Sequence, residues 1–225
     1  MPPSVSPPRS ETELRTRARA LAGMSLEELA NRNQVELPQR LAGHKGLIGE
    51  CLEFILGADA ASRPLPDFSE LGIELKTLPL NAHQRPKEST YVCRLNVNAL
   101  PSETWETSSV KRKLARVLWF PVEANPAVPM KQRRLGVPRI WSPSPADITV
   151  LEDDWNELTD LAATGRFDQI DGRLGTFLQL RAKAPHSRAL TSANNSDGRS
   201  APTLPRGFYL RTKFTARILE HGEIA

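Results

Sequence analysis

Cysteine and histidine are both scarce. The chain of 225 residues has two cysteines, Cys51 and Cys93, and they form no CxxC pair. They read as reduced core thiols rather than a disulfide or a thiolate zinc site, which suits a cytoplasmic protein. The four histidines, His44, His83, His186 and His221, are scattered without helix or ribbon spacing, which argues against a histidine metal site. A Gly-rich phosphate loop ending in Lys-Ser/Thr is missing, as is a GxSxG elbow, so P-loop and serine-hydrolase chemistry drop out. No apolar run approaches the length of a membrane span. The opening MPPSVSPPRS lacks the basic-then-apolar layout of a secretory signal. Residues 1–10 read as a flexible Pro-rich lead-in, and 11–225 as one domain.

What is present is an ordinary globular balance, 39% hydrophobic and 25% charged, with the signs unevenly spread. Residues 109–140 hold eight Lys/Arg against Glu123 alone, residues 141–180 hold eight acids against Arg166 and Arg173, and residues 181–225 are basic again. Two basic segments around an acidic one point to a polarised surface whose basic side takes a polyanion.

Ser10-x-x-Glu13 is a capping box that opens a helix running to about Ala22, with Gly23 as its stop; Ser25-x-x-Glu28 opens a short second one. KGLIGECLEFILG gathers Leu47, Ile48, Cys51, Leu52, Ile55 and Leu56 on one broad face, with Glu50 and Glu53 opposite. Strands are expected at 72–78, at STYVCRLNV with Tyr91, Cys93, Leu95 and Val97 on one side, at Val117–Val122 and at 139–141. The clearest helix covers 147–162, with Ile148, Leu151, Trp155, Leu158 and Ala162 on one stripe. Its acids, Asp153 and Asp154 among them, are expected to stand off any polyanion surface. Two late strands, GTFLQLRAK and GFYLRTK, flank a loop at 191–203. The four tryptophans are expected in the core. The fold class is mixed α and β, a central sheet flanked by helices.

One strand carries possible chemistry. In PDFSELGIELKTLPL (66–80), Ile73, Leu75 and Thr77 alternate with Glu74 and Lys76. Residues two apart on a strand share a face, about 7 Å apart. A carboxylate and an ammonium therefore sit together, with Asp67 just upstream and Glu53 on the preceding helix. Converging carboxylates hold a hard cation such as Mg²⁺, which polarises a phosphodiester and acidifies a bound water, and a nearby lysine can orient that water. A solvent-facing strand with a stray Glu–Lys pair is the plainer alternative.

The same stretch resembles the PD-(D/E)xK nuclease motif, through Pro66-Asp67 and Glu74-Leu75-Lys76. Its surroundings resemble the MutH family of DNA mismatch-repair endonucleases in order along the chain. The blocks are KGLIGECLEFILGA (45–58), TWETSSVKRKLARVLWFPVE (104–123), QRRLGVP (132–138), IWSP (140–143), LQLRAKA (178–184) and TLPRGFYLRTKFT (203–215). The resemblance implies a restriction endonuclease-like fold whose N-terminal catalytic lobe and C-terminal DNA-recognition lobe form a DNA-binding cleft. It implies Mg²⁺-dependent nicking of the unmethylated strand at hemimethylated GATC sites by a monomer, activated by MutL after MutS finds a mismatch. On the family's pattern, Asp67, Glu74 and Lys76 fall on the catalytic triplet, Glu53 on a supporting metal-site carboxylate and Lys113 on a further active-site lysine. Lys45, Glu88, Tyr91, Arg181, Lys183 and Tyr209 fall on positions for DNA contact and methylation sensing; Tyr91 replaces the family's familiar phenylalanine. A methylation-sensing module that does not cut, or a type II restriction enzyme cutting GATC, are the alternative readings.

Overall fold

The computed structural model describes residues 5–34, 46–61, 63–183, 191–194 and 200–225, the last stretch and 191–194 partly by backbone alone. In chain order the helices are α1 (Glu11–Arg19), α2 (Leu26–Asn33), α3 (Leu47–Leu56), α4 (Ser109–Leu114), α5 (Pro145–Ala163) and α6 (Thr212–His221). The strands are β1 (Glu74–Leu80), β2 (Thr90–Arg94), β3 (Val117–Glu123), β4 (Arg139–Trp141), β5 (Leu178–Ala182), β6 (Thr191–Asn194), β7 (Ser200–Thr203), β8 (Arg206–Leu210) and β9 (Glu223–Ile224). They divide into two compact units, neither of them a continuous stretch: residues 1–88, 115–142 and 216–225, and residues 89–114 and 143–215.

The first unit is built on a mixed sheet ordered β1-β3-β4-β9, with β1 parallel to β3 and the other pairs antiparallel. VLWFPVE, the sequence of β3, is buried on both faces, as a strand between neighbours requires. Leu14, Leu26, Leu52 and Leu56 from α1, α2 and α3 pack with Ile73, Leu75, Leu118 and Phe120 in the core. The capping box of α2 is complete. That of α1 is shifted by one: the Ser10 hydroxyl accepts from the Glu13 N–H, but the Glu13 carboxylate accepts from Arg9 N–H at 2.8 Å. α1 stops at Arg19, short of the expected Ala22. α3 stops on Gly57, at φ +83° and so close to the Ser6 carbonyl that a Cβ would lie 2.6 Å from its oxygen. Pro8 is buried, and Arg17 donates to Ser6 O at 2.7 Å.

The second unit has an antiparallel sheet ordered β2-β8-β5, with Leu151, Trp155, Leu158 and Ala162 of α5 buried as the stripe predicts. All four tryptophans are buried, as are both free cysteines. Three expectations are corrected here. The register of β2 shifts between Tyr91 and Cys93, so Val92 and Cys93 are both buried and the simple alternation fails. The 191–203 stretch contains the paired antiparallel strands β6 and β7, with Thr191 opposite Thr203. GFYLRTK is a strand only to Leu210; from Thr212 the i, i+4 pair Phe214 and Ile218 turns the chain into α6, with both residues buried.

Candidate active site

The six residues between Asp67 and Glu74 form a closed turn. Phe68 and Ile73 exchange backbone hydrogen bonds, Phe68 N–H to Ile73 O at 2.9 Å and Ile73 N–H to Phe68 O at 3.3 Å. A 3₁₀ turn over Ser69–Leu71 and Gly72 at φ +65° fill the gap between them. Both apolar residues are fully buried, so they pin the turn to the core. This is why the D-x₆-E spacing works: Asp67 and Glu74 flank a paired bridge and become neighbours. The Asp67 carboxylate then accepts from Leu75 N–H at 2.7 Å.

Asp59, which sequence reading overlooked, braces the same turn from behind. Its carboxylate accepts from the Ser69 N–H at 2.7 Å and from the Ser69 hydroxyl, while Asp59 N–H donates to Asp67 O at 2.9 Å. Burial pushes the Asp59 carboxyl up, but the Ser69 bonds outweigh it and hold it below its ordinary value. The only signal was an acid in a Pro-punctuated loop, which by itself says nothing of a partner ten residues on.

Glu74 is 1% exposed. That decides against the solvent-facing strand, since an ionised carboxylate is not taken out of water without a partner. The partner is the Lys76 ammonium, two residues on along the same face. Glu74 N–H donates to Arg116 O at 3.0 Å, tying the start of β1 to β3. Arg116 is itself held by Glu11 through two bonds of 2.6 Å.

Glu53, half-buried on α3, joins this group electrostatically. Its carboxyl is pushed up first by burial and then by Asp67, while Lys76 pulls it down and Glu74 and Glu50 push it up again. Three carboxylates and one ammonium therefore sense one another within the first unit. Among the described residues no three acidic, imidazole or thiol groups are placed to hold a metal ion by themselves. An all-oxygen set of this kind suits a cation that keeps much of its water and takes substrate phosphate oxygens, as Mg²⁺ does.

The other predicted residues lie elsewhere. Lys45 falls outside the described residues, Glu88 is exposed at the end of the β1–β2 connection, and Lys113 is half-buried on α4 of the second unit. Tyr91, Arg181, Lys183 and Tyr209 come together on one face of the β2-β8-β5 sheet. Tyr91 and Tyr209 are register partners with rings 5.3 Å apart, edge to face. The Lys183 ammonium lies 3.1 Å from the Tyr91 ring centroid, and the Arg181 guanidinium 5.8 Å from that of Tyr209. Arg181 also donates to Ser89 Oγ at 2.6 Å. Burial, then Cys93 and Tyr209, push the Tyr91 phenol up to about 12. Gly207 makes room for this cluster: a Cβ there would stand 2.8 Å from Tyr91 Cε2. Tyr209 is half-buried within β8.

Asp154 on α5 has its own partners inside the second unit. It is 5% exposed, and its carboxylate accepts from Thr176, Phe177 and Leu178 N–H at 2.6, 2.6 and 2.8 Å. Asp153 next to it is exposed.

Comparison with known proteins extends the likeness from these motifs to the chain. The family model "DNA mismatch repair enzyme MutH" matches residues 56–154. The DNA mismatch repair protein MutH of Vibrio parahaemolyticus is 49% identical over 212 residues, 94% of this chain and 94% of that protein. Its counterpart from Vibrio vulnificus is 48% identical over 96% of this chain and 95% of that protein. The protein of the same name from Yersinia pestis is 48% identical over 97% and 95%. With nearly half of all residues shared along almost its whole length, the chain belongs to the MutH family of DNA mismatch-repair endonucleases.

Proposed function

We propose that the protein nicks the unmethylated strand at hemimethylated GATC sites by Mg²⁺-dependent phosphodiester hydrolysis. The observation that carries the reading is the Glu74–Lys76 pair, out of water beside an anchored Asp67 and a Glu53 that feels both acids. Asp67 and Glu74, with Glu53, would hold the cation together with water and substrate oxygens. When bound, Mg²⁺ polarises the scissile phosphate and lowers the pKa of a water. Lys76, held in place by Glu74, orients the attacking water and offsets the negative charge that builds on the phosphoryl oxygens. Lys113 serves as a further lysine of the reaction.

In this reading most of the residues that cut belong to the first unit and most of those that read belong to the second. Arg181 and Lys183 reach phosphates or guanine edges, Lys45 and Glu88 contribute to DNA contact, and Tyr91 and Tyr209 test the adenine amine for a methyl group. MutL activates the enzyme, MutS acts upstream of it, and the protein works as a cytoplasmic monomer. No helix among the described residues is long and apolar enough to cross a membrane. The test is conversion of supercoiled plasmid to relaxed circles, with GATC unmethylated, hemimethylated or fully methylated, in Mg²⁺ or EDTA, with and without MutL. Mg²⁺-dependent relaxation that disappears on full methylation supports the reading. Equal nicking of all three plasmids overturns its methylation part, and no nicking under any condition leaves a DNA-binding module that does not cut.

A further inference from the structure

We infer that Asp154 is a positioning residue for sequence recognition: from inside α5 it sets the backbone of the strand that presents Arg181 and Lys183. The inference rests on the proposed role of those two residues as DNA contacts.

Three successive backbone N–H groups, those of Thr176, Phe177 and Leu178, converge on one carboxylate. Such a run of amides is an anion nest, and here the protein's own side chain fills it. The approach is tight, because Gly175 at φ +76° has no room for a side chain: a Cβ would lie 2.1 Å from Leu178 O and 3.4 Å from Asp154 Cγ. The nest opens directly into β5. Leu178 pairs with Leu210, Gln179 with Tyr209, Arg181 with Gly207, and Lys183 N–H donates to Pro205 O at 2.7 Å. Phe177 is fixed a second time by its ring, stacked on Phe214 at 4.0 Å, and by its carbonyl, which accepts from Arg211 N–H at 2.8 Å.

An edge strand with one partner is free to slide or twist unless something holds its start, and base readout fails when donors move by more than about half an ångström. A surface acid would not need to be buried for helix stability alone. Its burial against three amides gives β5 a fixed origin, and Arg181 follows three residues later on the face that carries Tyr209 and Tyr91.

The experiment maps nicks on a plasmid of known sequence made by the full-length enzyme and by Asp154→Asn, alongside thermal melts. The expected result is folded protein whose preference for its own sites over sites with one changed base pair falls roughly tenfold, the order of one lost base contact. Total nicking summed over all sites falls less. Asp153→Asn, the exposed neighbour, keeps both. If Asp154→Asn does not fold, Asp154→Glu, which retains the charge but displaces it, is read the same way and is expected to lose preference in part. A variant that melts earlier yet keeps the parent's site preference overturns the inference and makes Asp154 a stabilising residue only. The map separates this from failure of the GATC reading, which would appear as a wild-type preference for some other sequence.

Discussion

Among the described residues β1 and β5 are both edge strands, and each starts at a carboxylate that has captured backbone N–H groups: Asp67 takes that of Leu75, and Asp154 takes those of Thr176, Phe177 and Leu178. Beyond that shared start they diverge. β1 turns an acid and an amine away from water, with Glu74 sealed against Lys76. β5 leaves Arg181 and Lys183 exposed over two tyrosines. The difference follows from the work proposed for each. Charge developing at a phosphate is best stabilised where the dielectric is low, whereas cations that find a polyanion must be reachable from solvent.

Breaking the buried side of this contrast should have the largest effect. Glu74→Ala or Asp67→Ala is expected to lower single-turnover nicking by roughly a thousandfold or more, as several kcal/mol of transition-state stabilisation disappear. DNA affinity, measured by filter binding, should be unchanged or raised, because a negative charge near phosphate is gone. Substantial Mg²⁺-dependent cutting by either variant would refute the site assignment.

Lys76→Ala should also abolish nicking, and in addition lower stability by about 3 kcal/mol, since a buried carboxylate loses its ammonium. Melts in EDTA and in Mg²⁺ sharpen this: added cation should restore much of the lost Tm. No difference between the two melts would mean that Glu74 does not face the metal.

On the exposed side the effects are smaller and selective. Tyr209→Ser is expected to lose discrimination among unmethylated, hemimethylated and fully methylated duplexes by about 1–3 kcal/mol, with less loss of general affinity. Equal rate losses on all three would make Tyr209 a scaffold residue. Gly207→Ala should push on the Tyr91 ring and cost about 1–3 kcal/mol of stability by overpacking. Trimming the ring with Tyr91→Leu in the same protein should recover part of it.

The smallest expected effect concerns acid. A hydrogen bond from Arg116, opposed by partial burial and reinforced by the Arg116 and Arg15 charges, holds the Glu11 carboxyl below its ordinary 4.5. A depressed carboxyl stabilises the fold above the unfolded value, and that contribution is lost as pH falls through the folded value. Arg116 also carries the carbonyl that receives Glu74 N–H, so the support belongs to β1 and not to β5. Tm measured between about pH 6 and pH 3 should fall less steeply in Glu11→Gln than in the parent. Identical slopes would remove Glu11 from the account.

Much of this contrast was legible in the sequence, and the reasons for the rest are physical. Alternation placed Glu74 and Lys76 on one face, and the helical stripe placed Leu151, Trp155 and Leu158 inside. Whether a charged face meets water depends on what packs over it, which a strand's own residues do not encode. The burial of Asp154 was not legible for the same reason: its neighbours in sequence are acids and its partners are amides more than twenty residues away. Asp59 escaped notice because a capping carboxylate in a loop looks like any other loop polar residue. α6 was hidden behind a run that reads equally well as a strand until Phe214 and Ile218 are seen to share a helical face.

The chain crosses between the two units at residues 88–89, 114–115, 142–143 and 215–216. β1 and β3, which lie side by side in the first unit, are separated in sequence by the β2–α4 portion of the second. β4 meets β9, Arg139 against Ile224, only after all of the second unit has been synthesised. Closing such long loops is entropically costly and slow, so the first sheet is assembled late. No single cut yields either unit as an intact fragment. Cleavage at 114–115 or 142–143 divides both units, whereas cleavage at 88–89 or 215–216 divides the first alone.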